Sequence, residues 1–206
     1  MDILNLYAGI GGNRKLWSDE HTITAVEINP KIASIYQDFF SGDTVIVGDA
    51  HQYLLDHFKE FDVIWSSPPC PTHSRLNKCF TAGNAKNPIT YPDMKLYQEI
   101  ILLKNFFDGK FIIENVISYY QPLIPPTEMN SHYFWTNFYF MPVNNKFDRG
   151  HYSGIDNLQE IKGFDISEYS GIDKIKTLRN CVFPETGKYL LDQAIKSFSK
   201  KQMKLL

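Results

Sequence analysis

The clearest chemical signal in the sequence is Ser-Ser-Pro-Pro-Cys-Pro at 66–71, directly after the mainly apolar stretch 61–65. A thiol there would lie on a loop at the carboxyl end of a buried strand, the edge at which open α/β sheets bind ligands. The prolines on both sides of Cys70 restrict the backbone of this loop. A free cysteine taken alone is more often a small buried packing residue. In this setting we predict a nucleophile.

An acid is expected beside this thiol. Glu114 ends a second apolar strand, 111–113, and is followed by Asn115, which could orient the glutamate or the cysteine loop. A carboxylate at the buried edge of a parallel sheet is costly unless it is paired or protonated. Such surroundings suit an acid that works near neutral pH. A helix cap or an ion pair is the structural alternative.

Three further strand ends point to a nucleotide-like ligand. Residues 7–12, Tyr-Ala-Gly-Ile-Gly-Gly, follow the first strand, and their glycines allow a tight turn and close approach of a ligand. Glu27 ends the second strand, where a carboxylate can accept both hydroxyls of a ribose. Asp49 ends the third strand and could accept from an adenine amino group. No Gly-Lys-Ser/Thr follows the glycines, so a P-loop is excluded and an adenosine-type ligand is favoured.

The elements that must position these residues alternate between strand and helix. This order predicts an α/β fold, with a mainly parallel sheet and helices on both faces. The expected strands are 2–7, 22–27, 44–47, 61–65 and 111–113, and the expected helices lie near 13–17, 30–40, 51–58 and 92–107. Beyond residue 120 we expect an aromatic strand over 133–143, a small irregular insert over 144–176 and a helix over 186–199.

Composition narrows the possible settings. The 206 residues fit one domain, and a net charge of −2 provides no global field for nucleic acid, so DNA binding would need a local basic face. The three cysteines are an odd number without paired spacing, which favours a reducing compartment. No signal peptide and no membrane-spanning run is recognisable. We therefore expect a cytoplasmic protein.

In their order along the chain, these motifs resemble the S-adenosylmethionine-dependent DNA (cytosine-C5) methyltransferases. The resemblance covers about 2–120 and 177–196, and the matching pieces are Tyr7–Gly12, Glu27, Asp49, Pro68–Cys70, Glu114–Val116 and Arg179–Gly187. It implies a Rossmann-like methyltransferase sheet with a catalytic domain, 1–120 plus 177–206, and a reduced target-recognition region, 121–176. The chain departs from the family at Pro71, where glutamine is usual. It also lacks a clear Gln-x-Arg-x-Arg segment, and His132–Phe138 occupies about that place.

The resemblance also implies roles for individual residues, with no metal. Cys70 would attack C6 of a cytosine flipped out of double-stranded DNA while Glu114 assists at N3. S-adenosylmethionine would then methylate C5. The implied cofactor contacts are Tyr7, Ala8, Gly9, Ile10, Gly11, Gly12, Glu27, Ile28, Asp49, Ala50, Pro68, Asn180 and Val182. The implied substrate contacts are Pro69, Ser74, Arg75, Asn115 and Arg149, the last as a substitute for the missing arginines.

The expected partner is DNA, bound by a monomer, with no membrane. Candidate phosphate contacts are Arg75, Lys78, Lys86, Lys146, Arg149 and the C-terminal lysines. Three alternatives remain open. Amino-methyltransferases share the fold, but carry an aromatic residue where this chain has Cys70. A catalytically silent DNA-binding module and a methyltransferase acting on RNA or a free pyrimidine nucleotide are the others. A stand-alone enzyme of this size would suit a phage or a mobile element.

Overall fold

A computed structural model describes residues 1–75, 91–143 and 154–202, with side chains up to 198. Its centre is a seven-stranded mixed sheet in the order β3-β2-β1-β4-β5-β7-β6. The strands are β1 (Asp2–Leu6), β2 (Thr22–Glu27), β3 (Thr44–Val47), β4 (Val63–Ser66), β5 (Lys110–Val116), β6 (Thr127–Met129) and β7 (His132–Thr136). The first five are parallel, whereas β7 runs antiparallel to β5 and β6 antiparallel to β7. The predicted fold class is confirmed.

Helices connect the parallel strands, and local sequence explains where several begin. The helices are α1 (Pro30–Phe39), α2 (Ala50–His57), α3 (Lys95–Phe106), α4 (Ile155–Lys162), α5 (Lys174–Asn180) and α6 (Pro184–Gln202). Side-chain oxygens of Asn29, Asp49 and Asp173 accept from backbone amides at the starts of α1, α2 and α5. The helix predicted near 13–17 is only a short 3₁₀ turn, Arg14–Leu16.

Apolar layers cover both faces of the sheet. On one face Leu4, Phe111 and Ile113 pack against buried side chains of α3 such as Ile100 and Leu103. On the other face Ile3, Trp65 and Ile112 pack against Leu190 and Ala194 of α6. Because successive strand residues point to opposite faces, both faces must be apolar, which explains the continuous apolar runs in the sequence.

The sheet extends beyond the boundary that the sequence predicts at residue 120. Residues 127–136, assigned to the target-recognition region, form β6 and β7, and β7 pairs with β5 from Ile112↔Thr136 to Val116↔His132. A boundary at 120 would therefore cut through a continuous hydrogen-bonded sheet. The predicted insert 144–176 is also partly regular, because α4 lies within it and buries Leu158.

In the part of the chain that the structure describes, no helix has the length and apolarity needed to cross a membrane.

Candidate active site

A cavity of about 1100 Å³ opens at the carboxyl ends of the parallel strands. Most of the predicted site residues line it. Those at the predicted cofactor positions are Tyr7, Ala8, Gly9, Ile10, Gly12, Glu27, Ile28, Asp49, Ala50, Pro68, Asn180 and Val182. Those at the predicted catalytic and substrate positions are Pro69, Cys70, Glu114 and Asn115. The parallel arrangement brings these residues together because it places every carboxyl end at one edge.

Three of the predicted residues that the structure describes do not line the cavity. Gly11 faces α1, Ser74 forms an isolated β-bridge with Ser118, and Arg75 is exposed; none of the three lines the cavity. Arg149 lies outside the described residues, as do Lys78, Lys86 and Lys146.

The glycines of the first loop serve different purposes. Gly9 has a φ of 55° and nothing within 4 Å of the place where a Cβ would stand, so a ligand has room to approach its backbone. A Cβ on Gly11 would lie 2.3 Å from the Phe40 ring, and one on Gly12 would lie 2.4 Å from the Val182 carbonyl oxygen. Gly11 and Gly12 are therefore required for packing, and Gly9 is the glycine that fits ligand approach.

A buried carboxylate that the sequence did not single out holds this loop from behind. Glu99, on α3, is fully buried. Its Oε1 accepts from the Tyr7 hydroxyl at 2.7 Å and lies 3.0 Å from His51 Nδ1, while its Oε2 accepts from the Ser66 hydroxyl at 2.7 Å. These contacts join the ends of β1 and β4 to α2 and α3. Burial, and then the neighbouring Glu99, raise the pKa of Tyr7 far above its ordinary value, so its hydroxyl remains a donor.

The two acids at the cofactor end shape the backbone around them. Glu27 Oε2 accepts from the Gly9 amide at 3.0 Å, and Oε1 accepts from the Asn29 amide at 2.9 Å. Asp49 Oδ1 accepts from the His51 amide at 2.8 Å at the start of α2. Desolvation alone would raise the pKa of Asp49. Backbone hydrogen bonds and the Lys95 ammonium outweigh it, so the pKa lies below the ordinary value. Both carboxylates remain at the cavity wall and can accept further hydrogen bonds.

Backbone contacts hold the cysteine loop against β5. The Cys70 carbonyl accepts from the amides of His73 and Ser74, each at 3.0 Å, and the Asn115 side chain donates to the Pro68 carbonyl at 3.0 Å. The prolines of this loop have no amide N–H to donate, so hydrogen bonds accepted by the carbonyl groups of Pro68 and Cys70 help to fix the loop. The loop therefore presents Cys70 at the cavity wall.

The two described thiols have different surroundings. Burial and the Glu114 carboxylate raise the pKa of Cys70, and Lys176 on α5, which also lines the cavity, opposes them. Burial raises the pKa of Cys181 to about 12. Cys181 packs with Ile10 and Leu178 in a small apolar cluster, so it is a packing residue. Lys176 was missed in the sequence because nothing there shows that α5 turns toward Cys70.

Glu114 has a neighbour on the adjacent strand. Its side chain is largely buried, and its Oε1 lies 3.6 Å from Nε2 of His132, whose Nδ1 lies 2.8 Å from the Asn130 carbonyl oxygen. The sequence located His132 in the segment that lacks the arginines but gave it no role. Among the described residues, no cluster of histidine, cysteine and carboxylate side chains could hold a metal ion.

The Rossmann-like sheet, with a cavity above its glycine loop, and the family match described next indicate the class of S-adenosylmethionine-dependent methyltransferases, and S-adenosylmethionine is the cofactor. Within that class, residues 1–121 match the model of the C-5 cytosine-specific DNA methylases, and the chain belongs to that family. The predicted family is thus confirmed. The further resemblance over 177–196 remains a prediction.

Solved structures give fainter similarities. The DNMT2 mutant of Spodoptera frugiperda is 28% identical, with 56% of this chain and 35% of that chain covered and a TM-score of 0.38. The Entamoeba histolytica methyltransferase EhMeth is 17% identical, with coverages of 56% and 38% and a TM-score of 0.36. A SAM-dependent methyltransferase of Agrobacterium tumefaciens is 14% identical, with coverages of 58% and 40% and a TM-score of 0.40. The chain thus spans about a third of the length of the DNMT2 protein. No curated protein matches it.

Proposed function

We propose that the protein transfers a methyl group from S-adenosylmethionine to C5 of cytosine in DNA through a covalent bond between Cys70 and C6. The observation that supports this most strongly is that Cys70 and Glu114 line the same cavity as the glycine loop and its two acids. A nucleophile, an acid and a cofactor site within one cavity are what methylation at a ring carbon requires.

The cavity wall fits S-adenosylmethionine. The open space beside Gly9, the carboxylates of Glu27 and Asp49, and the exposed side chain of Ile28 supply a backbone approach, hydrogen-bond acceptors and an apolar surface. These groups suit the hydroxyls, amino group and ring face of an adenosine. When bound, the cofactor supplies an electrophilic methyl group on a sulfonium.

The reaction begins with the Cys70 thiolate attacking C6, which breaks the aromaticity of the cytosine and makes C5 nucleophilic. Glu114 donates a proton or a hydrogen bond to N3 and so stabilises the charge that the ring gains. After methylation of C5, a base takes the C5 proton, the bond between C6 and Cys70 breaks, and Cys70 leaves as the thiolate. Since burial and Glu114 raise the pKa of Cys70, Lys176 assists by favouring the thiolate.

A duplex base cannot reach this cavity without leaving the stack, so the target cytosine would be flipped out. Lys176 and Arg179 are exposed at the cavity wall and can contact the phosphates beside a flipped nucleotide. With a net charge of −2, we expect binding to be modest and to weaken steeply as salt rises.

The proposal is tested by incubating the protein with duplex DNA of varied sequence and S-adenosylmethionine, followed by bisulfite sequencing. We expect 5-methylcytosine with the wild type and none with Cys70→Ser. Cys181→Ser is the comparison for a thiol that also lines the cavity but packs with Ile10 and Leu178, and it should retain methylation. Absence of 5-methylcytosine on every duplex would refute methylation of DNA, and normal methylation by Cys70→Ser would refute the covalent step.

The cofactor site is tested separately by calorimetry with S-adenosylhomocysteine. Asp49→Ala should weaken binding, whereas Asp56→Ala, an exposed change on the same helix that does not line the cavity, should not. Tight binding of S-adenosylhomocysteine together with DNA binding but no methylation would favour the catalytically silent module. Methylation of RNA or of free cytidine nucleotides in parallel reactions would favour the other alternative.

A further inference from the structure

The orientation of the His132 imidazole is determined by a tight hairpin. The turn between β6 and β7 is Asn130-Ser131, with φ values of 50° and 59°, as two-residue hairpins require. This turn places the Asn130 carbonyl oxygen 2.8 Å from His132 Nδ1. A carbonyl can only accept, so Nδ1 carries a proton. The other ring nitrogen, Nε2, is then the one that can contact Glu114.

Strand pairing directs Nε2 toward Glu114. His132 pairs with Val116, two residues along β5 from Glu114, so His132 and Glu114 are diagonal neighbours on one face of the sheet. Nε2 lies 3.6 Å from Glu114 Oε1, close enough for a hydrogen bond after a small adjustment. A single proton between Nε2 and Oε1 can form this hydrogen bond in two ways. Either a neutral imidazole accepts from a carboxylic acid, or an imidazolium donates to a carboxylate.

We propose that His132 is the positioning residue of Glu114: it orients the carboxyl group and shares with it the proton that Glu114 delivers to cytosine N3. The inference rests on the proposed function. The proton passes from Glu114 to N3 as Cys70 bonds to C6, and it returns to Glu114 as Cys70 leaves, so the pair loses no proton over a turnover. His132 thereby orients the acid from the segment in which the sequence lacks the two arginines of the Gln-x-Arg-x-Arg motif.

Other titratable groups line the same cavity from the neighbouring elements. They include Cys70 and His73 on the loop after β4, Lys162 on α4, and Lys176 and Arg179 on α5, and Tyr7, Glu27, Asp49, Asp93 and Lys95 also lie at its wall. From α6 the uncharged Thr186 reaches the Asn130 side chain. Among the side chains that the structure describes, His132 is the one whose ring nitrogen lies within 4 Å of a Glu114 carboxylate oxygen.

The first experiment compares His132→Gln and His132→Arg with the wild type. We expect His132→Gln to lower kcat for DNA methylation roughly 10- to 100-fold with little change in the KM for S-adenosylmethionine. His132→Arg should recover much of kcat, because an arginine can still donate to the carboxylate, but its pH profile should differ since arginine does not titrate. His57→Gln is the matched control, since His57 pairs with Glu60 at 2.8 Å on the exposed surface. Wild-type kcat and pH profile in both His132 variants would overturn the inference.

A second measurement needs neither DNA nor turnover. In ¹⁵N NMR spectra of the free protein, Glu114→Gln should change the Nε2 signal of His132 while leaving that of His57 unchanged. An unchanged His132 signal would overturn the inference even in an active enzyme. A wild type that is inactive on every DNA would refute the proposed function, and the NMR result would still test the contact between His132 and Glu114.

Discussion

Two buried carboxylates in this protein differ in how fully their oxygens are occupied. Glu99 is fully buried, its two oxygens accept from the hydroxyls of Tyr7 and Ser66, and its Oε1 also lies 3.0 Å from the Nδ1 atom of His51. Glu114 is nearly as buried, but it lines the cavity, and the His132 Nε2 atom beside it lies 3.6 Å from its Oε1. The first carboxylate joins elements of the fold, whereas the second faces the space where a substrate would bind.

The difference shows what separates a structural carboxylate from a chemical one. A buried charge is tolerated when fixed donors surround it, and such a charge has no capacity left for a ligand. A carboxyl group with a loose partner and an open side keeps the ability to exchange a proton. On this argument Glu99 should govern stability and Glu114 should govern activity.

The largest expected effect is the loss of activity in Glu114→Gln. Without an acid at N3, we expect kcat for DNA methylation to fall by about 10²- to 10⁴-fold. The midpoint of unfolding should barely change, because glutamine has nearly the same shape and the contact of the carboxyl group with His132, at 3.6 Å, is loose. Methylation assays and urea unfolding of the same preparation check both halves. Substantial unfolding of this variant would show that Glu114 is structural as well.

For Glu99→Ala we expect the main effect to be a loss of stability. Removing this carboxylate leaves the His51 ring and the Tyr7 and Ser66 hydroxyls without their acceptor. We expect a loss of about 3–5 kcal/mol in the free energy of unfolding. Urea unfolding at neutral pH measures this loss. A loss below about 1 kcal/mol, within the range of an ordinary hydrogen bond, would contradict the structural role.

Tyr7→Phe should cause a smaller loss of stability, because it removes one of the hydrogen bonds to Glu99. The ring stays, but the hydrogen bond to the carboxylate is lost, so the free energy of unfolding should fall by about 1.5–3 kcal/mol. Because Tyr7 also lines the cavity, calorimetry should show somewhat weaker binding of S-adenosylhomocysteine. Tyr139→Phe, at an exposed tyrosine far along the chain, provides the control and should leave both quantities unchanged.

The smallest expected effect is a shift in the pH at which the Cys70 thiol ionises. Because the Glu114 carboxylate raises the pKa of Cys70 and Lys176 lowers it, Glu114→Gln should move the thiolate titration to lower pH and Lys176→Met to higher pH. Rates of iodoacetamide alkylation against pH, read at the Cys70 peptide by mass spectrometry, measure these shifts. Glu99→Gln should leave the Cys70 profile unchanged. Equal profiles in all three variants would remove the electrostatic link between Glu114 and Cys70.

The sequence alone allowed much of the site to be predicted, for a simple reason. Cys70, Glu27, Asp49 and Glu114 each follow an apolar strand, and parallel strands bring their carboxyl ends to one edge. That argument needs no knowledge of side-chain contacts. It could not separate Gly11, which faces α1 instead of the cavity, from Gly9, because a glycine needed for packing and one needed for a ligand look the same in a sequence.

The residues that sequence reasoning missed lack a local signal. Glu99 lies among Leu96, Ile100 and Leu103 on α3, and its burial follows only from the three partners that meet it from other elements. Lys176 acts on Cys70 from a helix more than a hundred residues away in the sequence. His132 gains its role from a turn and a register that bring β7 beside β5.

The sequence by itself determined the family, the cofactor class and the order of strand ends that carry the reactive groups, because these depend on local motifs and on the alternation of strands and helices. Only the tertiary structure decided which buried carboxylate has hydrogen bonds at both oxygens and which one faces the cavity. It also decided that His132 lies beside Glu114 and that Lys176 influences Cys70. The physical reason is that hydrogen bonding and charge act over a few ångströms, and such distances between remote residues exist only after the chain has folded.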